Sequence, residues 1–297
     1  MLHKLVVGTL PWFPRRVMRH FAGRYIAGET LEEELARLEE LASAGYPGIL
    51  DILGEGSDSE AEARAAAAEY EQAARALVRA GLDAYVSIKP THLGLLADEG
   101  LALELYRQVA TTCRELGLQL RVEMEDHPTT DATLRIYERL REEFDLVGIV
   151  LQSRLLRTPE DVARLAPGPL DVRLVKGIYI EPAEIAHTEP EPIRAAFVDL
   201  ARQLLERGDV HLRLATHDEE LGRRLIALVE EFELPRERYE FQVLLGVQQA
   251  LWRAWRDAGH PVRVYVPFGA QWREYSLRRL SRNPELLRAI VRDVLPF

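Results

Sequence analysis

Eight short apolar stretches rich in β-branched residues alternate with amphipathic helical ones, and this alternation constrains the fold more than any other property of the chain. The strand-like stretches cover 48–55, 84–94, 120–126, 147–153, 172–179, 211–218, 239–246 and 262–269, with final residues 23 to 39 positions apart. One β-α-β crossover takes about 30 residues, so each gap holds one helix. The helical stretches cover 31–45, 59–81, 101–117, 130–143, 158–165, 190–208, 218–233 and 247–259, with a last pair after 270. Ser57 or Ser59 before an acidic first turn marks one helix start, and Gly81 and Gly117 mark two ends. Eight β-α units predict an α/β fold, a (β/α)8 TIM-type barrel. A doubly wound sheet is the rival, but no G-x-G-x-x-G follows the first strand. We read one catalytic domain over 1–297: an N-terminal helical arm (1–45), the barrel (46–297) and a C-terminal helix over the barrel mouth.

Composition narrows the function classes. A chain of 297 residues that is 47% hydrophobic is not disordered. A single cysteine, Cys113, excludes an internal disulfide and any Cys-based zinc site, and it suits a reducing compartment and packing only. No apolar stretch approaches the ~20 residues that span a bilayer. The opening MLHKLVVGTLPWF reads as mature protein, because no small-residue cleavage signature follows it. A net charge of −10 argues against nucleic acid as a partner. Arg15, Arg16, Arg19 and Arg24 among apolar residues suit an anionic membrane surface, although a helix covering the barrel is the preferred reading. The stretch ARAAAAEYEQAARA reads as a surface helix.

A barrel of this kind works at the C-terminal ends of its strands. The polar residues there are Asp51 and Glu55; Lys89, Thr91 and His92; Glu123, Glu125 and Asp126; Gln152; Arg173, Lys176 and Tyr179; Thr216, His217 and Asp218; Gln242; and Tyr265. Arg173, Glu123 and Lys89 interrupt apolar runs, where a charge needs a partner or a ligand. Any one alone is equally well a solvated or helix-paired residue; their recurrence on most strands points to a pocket. Beyond the last strand, Tyr275, Arg278 and Arg279 share one helix face at i, i+3 and i+4. Paired guanidinium groups beside a phenol suit a small carboxylate, and an Arg-rich solvated face is the alternative in a chain with 35 Arg and three Lys. In a closed barrel Glu55 would meet Arg278 or Arg279 across the mouth. No second histidine stands at ligand spacing from His217, so no metal is expected there and a hydrogen bond to a cofactor is preferred. Lys89 or Lys176 in apolar surroundings also suits a Schiff-base lyase or aldolase. A non-catalytic small-carboxylate binder is a third reading.

Taken in order, DILGE, SIKPTHLG, VEMED, VLQS, RLVKGIY, LATHD, FQVLLG, VYVPFG and YSLRRL resemble proline dehydrogenase, in its short monofunctional bacterial form, from about residue 24 to the end. The segments are similar to the proline dehydrogenase domain of the bifunctional proline utilisation proteins. The resemblance implies a distorted barrel holding FAD noncovalently. It would oxidise L-proline to Δ1-pyrroline-5-carboxylate by hydride transfer to the flavin N5, the first step of proline catabolism. Electrons would pass to a quinone. It also implies a cytoplasmic protein with peripheral contact to the inner face of the cell membrane, coupled in function to a pyrroline-5-carboxylate dehydrogenase. Under it, Arg278, Arg279 and Lys89 bind the proline carboxylate. Tyr265, Tyr275 and Leu244 pack on its ring, with Tyr179 close by, and Glu55 pairs with Arg279 as a gate. Gln152, Arg173, Lys176, Gly177, Thr216 and His217 hold the flavin, and Arg173 would stabilise the reduced ring's negative charge. The chain departs from the pattern at Glu123 (usually Asp), Arg154 (commonly aromatic), Leu245 (usually Tyr or His) and Arg282 (typically Glu).

Overall fold

The computed structural model describes residues 22–273 together with 275 and 276. The strands are β1 (Gly48–Ile52), β2 (Ala84–Ile88), β3 (Leu120–Val122), β4 (Val147–Gln152), β5 (Leu170–Val175), β6 (Val210–Ala215), β7 (Tyr239–Leu244) and β8 (Val262–Phe268). They close into one parallel barrel in sequence order, with β8 paired back to β1 through Gly48–Val264 and Asp51–Pro267. The doubly wound alternative is excluded by that closure. The helices are α1 (Leu31–Ser43), α2 (Glu60–Arg79), α3 (Glu99–Leu116), α4 (Thr130–Arg141), α5 (Thr158–Arg164), α6 (Pro190–Glu206), α7 (Glu219–Glu231) and α8 (Gln249–Asp257).

Local chemistry explains the boundaries. Thr30 and Glu33 form a reciprocal capping box at α1, and Ser59, not Ser57, accepts the Glu62 N–H at the start of α2. Gly81 and Gly117, past the ends of α2 and α3, adopt positive φ of 66°. Several strands stop earlier than their apolar runs. β3 ends at Val122 and β5 at Val175, so Glu123, Glu125, Lys176 and Tyr179 lie in the segments that leave the barrel.

α1 lies along β8 and β1 and fills the place in the outer ring that a helix after β8 would take. Its approach is fixed at the mouth by the Ala27 N–H to the Pro267 carbonyl (2.9 Å) and the Gly269 N–H to the Gly28 carbonyl (3.0 Å). The alanine-rich α2 is not simply a surface helix. Ala63, Ala66, Ala67, Ala73 and Ala74 are buried, and their small side chains let α2 pack closely on α3.

The strand period of two separates two chemistries. Leu50, Val86, Ile149, Val172, Leu212, Phe241 and Val264 face the helices and form the apolar core; Phe241, for example, stacks on Trp255 of α8 at 4.4 Å. The alternate positions face the lumen, and many are polar, whereas branched apolar residues usually fill a barrel of this kind. Toward the strands' N-terminal end runs an ionic chain. Arg121 binds Asp171, Arg213 bridges Asp171 and Glu240 at 2.8 Å each, and Arg263 reaches Glu240 at 3.0 Å. Gly148 makes room for it, since a Cβ there would stand 2.3 Å from the Arg121 Nη1.

Candidate active site

Above the ionic chain, Arg173 of β5 crosses the lumen. Its Nη1 donates to Glu123 beyond β3 (2.5 Å), its Nε to Gln242 of β7 (2.5 Å) and its Nη2 to the Tyr85 hydroxyl of β2 (3.2 Å). Its guanidinium carbon also lies 5.2 Å from the ring centre of Tyr265 on β8. Contacts with non-adjacent strands are possible only for a side chain pointing inward. The solvated and helix-paired alternatives therefore fail for Arg173 and for Glu123. Glu123 also accepts from the Ser87 hydroxyl at 2.5 Å. Burial alone would raise its carboxyl, but the Arg173 charge, the Ser87 hydroxyl and Lys89 outweigh it and hold Glu123 below the usual range. The same carboxylate holds Arg173 protonated against its own burial.

Lys89, just past β2, donates to Asp51 of β1 at 2.6 Å, and the two side chains are 12% and 1% exposed. Burial would neutralise the ammonium, yet Asp51, Glu123 and Glu55 together push it above the ordinary lysine value. A Schiff-base lysine must be a neutral amine, so Lys89 is poised as a cation and not as a nucleophile. Lys176, just past β5, is bound to Asp218 at 3.0 Å. Asp218 also takes Arg194 at 2.8 Å; burial opposes its ionisation, but the Arg194 and Lys176 bonds win and hold it at about 2. The lyase reading thus loses Lys89, and its other lysine, Lys176, is engaged by Asp218.

Gln152, the last residue of β4, donates its amide to the Glu125 carbonyl at 2.9 Å, while its Oε1 is buried with no donor. Glu125 accepts the Thr91 N–H (2.9 Å) and hydroxyl (2.7 Å), although burial still raises its carboxyl. Gly177 turns the chain at φ +95°, and a Cβ there would meet the Gln152 Oε1 at 2.6 Å. Thr216 is buried and accepts the Asp218 N–H at 3.1 Å. The His217 Nε2 accepts the Leu244 N–H at 2.7 Å, which spends one ring nitrogen on the backbone and fixes the proton on Nδ1. Nε2, so engaged, cannot donate, and the hydrogen-bonding role expected of the ring falls to the Nδ1–H. His92 accepts or donates at 3.3 Å with Tyr70, and burial and then Lys89 lower it to about 4.

Tyr179 is half-buried on the segment between β5 and α6, and Leu244 closes β7 beside His217. Tyr275 opens the turn beyond β8, its N–H bonded to the Gln271 carbonyl at 3.2 Å, and it lies within electrostatic reach of the Tyr265 phenol. Trp272 is buried and donates its indole N–H to Glu29 at 2.9 Å, tying this turn to the approach to α1. Arg278, Arg279 and Arg282 lie outside the described residues. The structure thus joins Lys89, Glu123, Arg173 and Tyr265 in one cluster and sets Gln152, Gly177, Tyr179, Lys176, Thr216, His217 and Leu244 in or next to the segments around the mouth. Sequence reasoning gave no role to Asp51, Ser87, Tyr85 or Gln242. Polar residues at period two, Tyr85 and Ser87 on β2 and Glu240 and Gln242 on β7, were the available signal.

The chain is similar to known proteins over most of its length. Proline dehydrogenase of Deinococcus radiodurans is 34% identical over 290 residues, which cover 95% of this chain and 92% of that protein. Proline dehydrogenase 1 of Bacillus subtilis subsp. natto is 32% identical over 274 residues, 92% of this chain and 90% of that one. The crystal structure of proline utilization A (PutA) from Bdellovibrio bacteriovorus, inactivated by N-propargylglycine, superposes with a TM-score of 0.83 at 25% identity, covering 93% of this chain and 34% of its own. Residues 34–287 match the family described as Proline dehydrogenase, and the chain belongs to that family.

Proposed function

We propose that the barrel mouth binds L-proline beside a noncovalent FAD and oxidises it to Δ1-pyrroline-5-carboxylate, with the electrons leaving to a quinone. The observation that carries this reading is the buried cross-barrel cluster of Lys89–Asp51 and Arg173–Glu123 beneath Tyr265, in a chain of this family. The residues present fit a flavin. The Gln152 Oε1 is a buried acceptor awaiting a donor, Gly177 leaves it room, and the partly exposed Lys176 precedes Gly177 in the chain, paired to Asp218. Gln152, Gly177, Arg173, Lys176, Thr216 and His217 would hold the group, with the His217 Nε2 also bracing Leu244. When bound, FAD supplies the hydride acceptor at N5.

The chain's own residues do the positioning. Lys89 binds one end of the substrate carboxylate, and Arg278 and Arg279 bind the rest. Tyr265, Tyr275, Leu244 and Tyr179 wall the ring and exclude water, and Glu55 pairs with Arg279 to close the entrance. Glu123 fixes Arg173, whose charge would stabilise the negative charge of a reduced flavin. Holding reactants in one orientation is worth up to about 7–11 kcal/mol of barrier. Contact with the quinone's bilayer would be peripheral, at the inner face of the cell membrane; among the described residues no helix is long and apolar enough to cross a membrane. The product would pass to a pyrroline-5-carboxylate dehydrogenase.

Anaerobic addition of L-proline to the purified holoprotein tests the reading: the visible band of the oxidised flavin should bleach. A band that persists while a proline analogue binds would leave a carboxylate-binding protein instead. Trapping of L-proline on a lysine by borohydride would revive the lyase.

A further inference from the structure

Residues 176–189, between β5 and α6, form a long connection without regular structure, and it carries Tyr179. Long connections in a compact domain are mobile unless fastened. The immediate neighbours of Tyr179 do not fasten it, since Ile178 is 62% and Ile180 86% exposed. Polar bonds from two other loops do. From the β4 side, the Arg154 Nη1 donates to the Tyr179 carbonyl. The aliphatic part of Arg154 lies over Gly177, and its backbone is laced to the same connection through the Lys176 carbonyl (3.2 Å) and the His187 N–H (2.8 Å). From the β3 side, the buried Glu181 carboxylate accepts the His127 N–H at 3.0 Å and meets the His127 Nδ1 at 2.6 Å. The two attachments fall on residues 179 and 181, either side of the exposed Ile180. They come from two different loops, those after β4 and β3, so the peptide is held at two points.

We propose that Arg154 and Glu181 are a two-point clasp that sets the position of Tyr179 at the mouth, and that both are positioning residues for proline binding. The proposal rests on the reading of Tyr179 as a wall of the proline pocket. It also gives a role to Arg154, at a position where an aromatic residue is common in the family. A guanidinium on the 179 carbonyl does by a directed bond what a flat ring would do by packing. The unpartnered, buried Nε of Arg154 shows that the side chain is committed to this position and not to solvent.

The test uses the purified holoprotein and the variants Arg154→Met, Arg154→Lys and Glu181→Gln. Met keeps the packing over Gly177 and removes the donor, Lys restores a donor, and Gln keeps an acceptor for the His127 N–H but loses the charge. Amide hydrogen exchange of residues 178–182, read by mass spectrometry without substrate, should speed up about 10- to 100-fold in Arg154→Met, the loss expected for one charged hydrogen bond. It should return most of the way in Arg154→Lys. KM for L-proline should rise about tenfold in Arg154→Met and in Glu181→Gln, with kcat changed by less than about threefold. Unchanged exchange in both Arg154→Met and Glu181→Gln overturns the clasp whatever the kinetics. Faster exchange with an unchanged KM overturns the positioning role, and Tyr179→Ala measured alongside separates the two failures. If Tyr179→Ala raises KM, the clasp proposal alone is wrong; if it does not, the reading of Tyr179 as a pocket wall falls with it. Should Arg154→Met fail to fold, Glu181→Gln carries the same two readouts.

Discussion

Replacing Lys89 by Met removes the cation from a pair whose other member cannot reach water, Asp51 being 1% exposed. Surface ion pairs are worth about 0–1 kcal/mol, but breaking a buried pair from one side costs about 3–5 kcal/mol, because a charge is left uncompensated. For a chain of 297 residues, near or below the low end of roughly 2 °C per kcal/mol, Tm should fall by roughly 6–10 °C at neutral pH. Burial already raises the Asp51 carboxyl, and Lys89 is the main influence lowering it. Without Lys89 the carboxyl rises further, and the fold then favours its protonated form. The deficit should therefore be largest above the ordinary carboxyl range and shrink as pH falls through it, since a neutral Asp51 needs no cation. Lys89→Met combined with Asp51→Leu removes both charges and should recover most of the lost stability. Proline binding should not recover: one charge-assisted bond to the carboxylate is worth about 1.5–3 kcal/mol, so KM should stay roughly ten- to a hundredfold high in both variants. Thermal melts across pH and steady-state kinetics measure the two effects separately. A single variant less than about 1 kcal/mol below the parent, or a double variant no more stable than the single, refutes the argument from buried charge.

Four other outcomes follow from particular residues. Glu34 of α1 is fully buried with both carboxyl oxygens unpartnered, and burial first, then Asp51, raises its carboxyl well above the usual value. A raised carboxyl contributes full stability in acid and loses it as pH rises, so Glu34→Leu should gain about 1–3 kcal/mol near pH 8 and little in acid; matching melts at pH 8 would mean that Glu34 has a partner. Cys113 is buried and its thiol pushed up to about 12 by burial and Glu71, so an aromatic disulfide reagent at pH 8 should label it only as the protein opens; immediate labelling of the folded protein contradicts this. Gly177→Ala forces a side chain into φ +95° and against the Gln152 Oε1, so the purified variant should retain several-fold less flavin, checked by the ratio of visible to protein absorbance. Arg278→Met or Arg279→Met should raise KM for L-proline strongly while flavin content stays at the parent level; an unchanged KM removes the carboxylate role.

Much of the barrel was legible because one face of every strand is apolar at period two and each helix carries its own punctuation, as at Ser59, Gly81 and Gly117. The pairings inside it were not. Arg173 and Glu123 lie 50 positions apart, and nothing local says that a β5 side chain crosses the lumen to the β3 segment. That contact exists only once eight strands close. Tyr85 and Ser87 were passed over for a related reason: a polar residue in a strand ordinarily faces solvent, and here the lumen replaces solvent with a network. The alanine-rich stretch of α2 misled in the opposite direction, because weak hydrophobicity suggested a surface where small size was permitting close helix packing. His217 was visible as a mouth residue, but the bond spending its Nε2 depends on where β7 ends.

The charge balance of the mouth shows what the binding reading demands. Its central cations are already matched, Lys89 by Asp51 and Arg173 by Glu123. Glu55 acts on Lys89 and Glu125 as a further anion, while Lys176 is shared into the Asp218–Arg194 group. Four carboxyl groups thus stand against two central cations, Asp51, Glu123, Glu125 and Glu55 against Lys89 and Arg173. Such a field attracts the ammonium of a zwitterionic amino acid and opposes its carboxylate. It also holds the amine protonated, when oxidation at the neighbouring carbon needs a free lone pair. Two guanidinium groups added at the entrance would reverse both effects, anchoring the carboxylate and offsetting the excess negative charge near the amine. Under the proposed reading that task falls to Arg278 and Arg279, since the tightly paired Lys89 cannot do it alone.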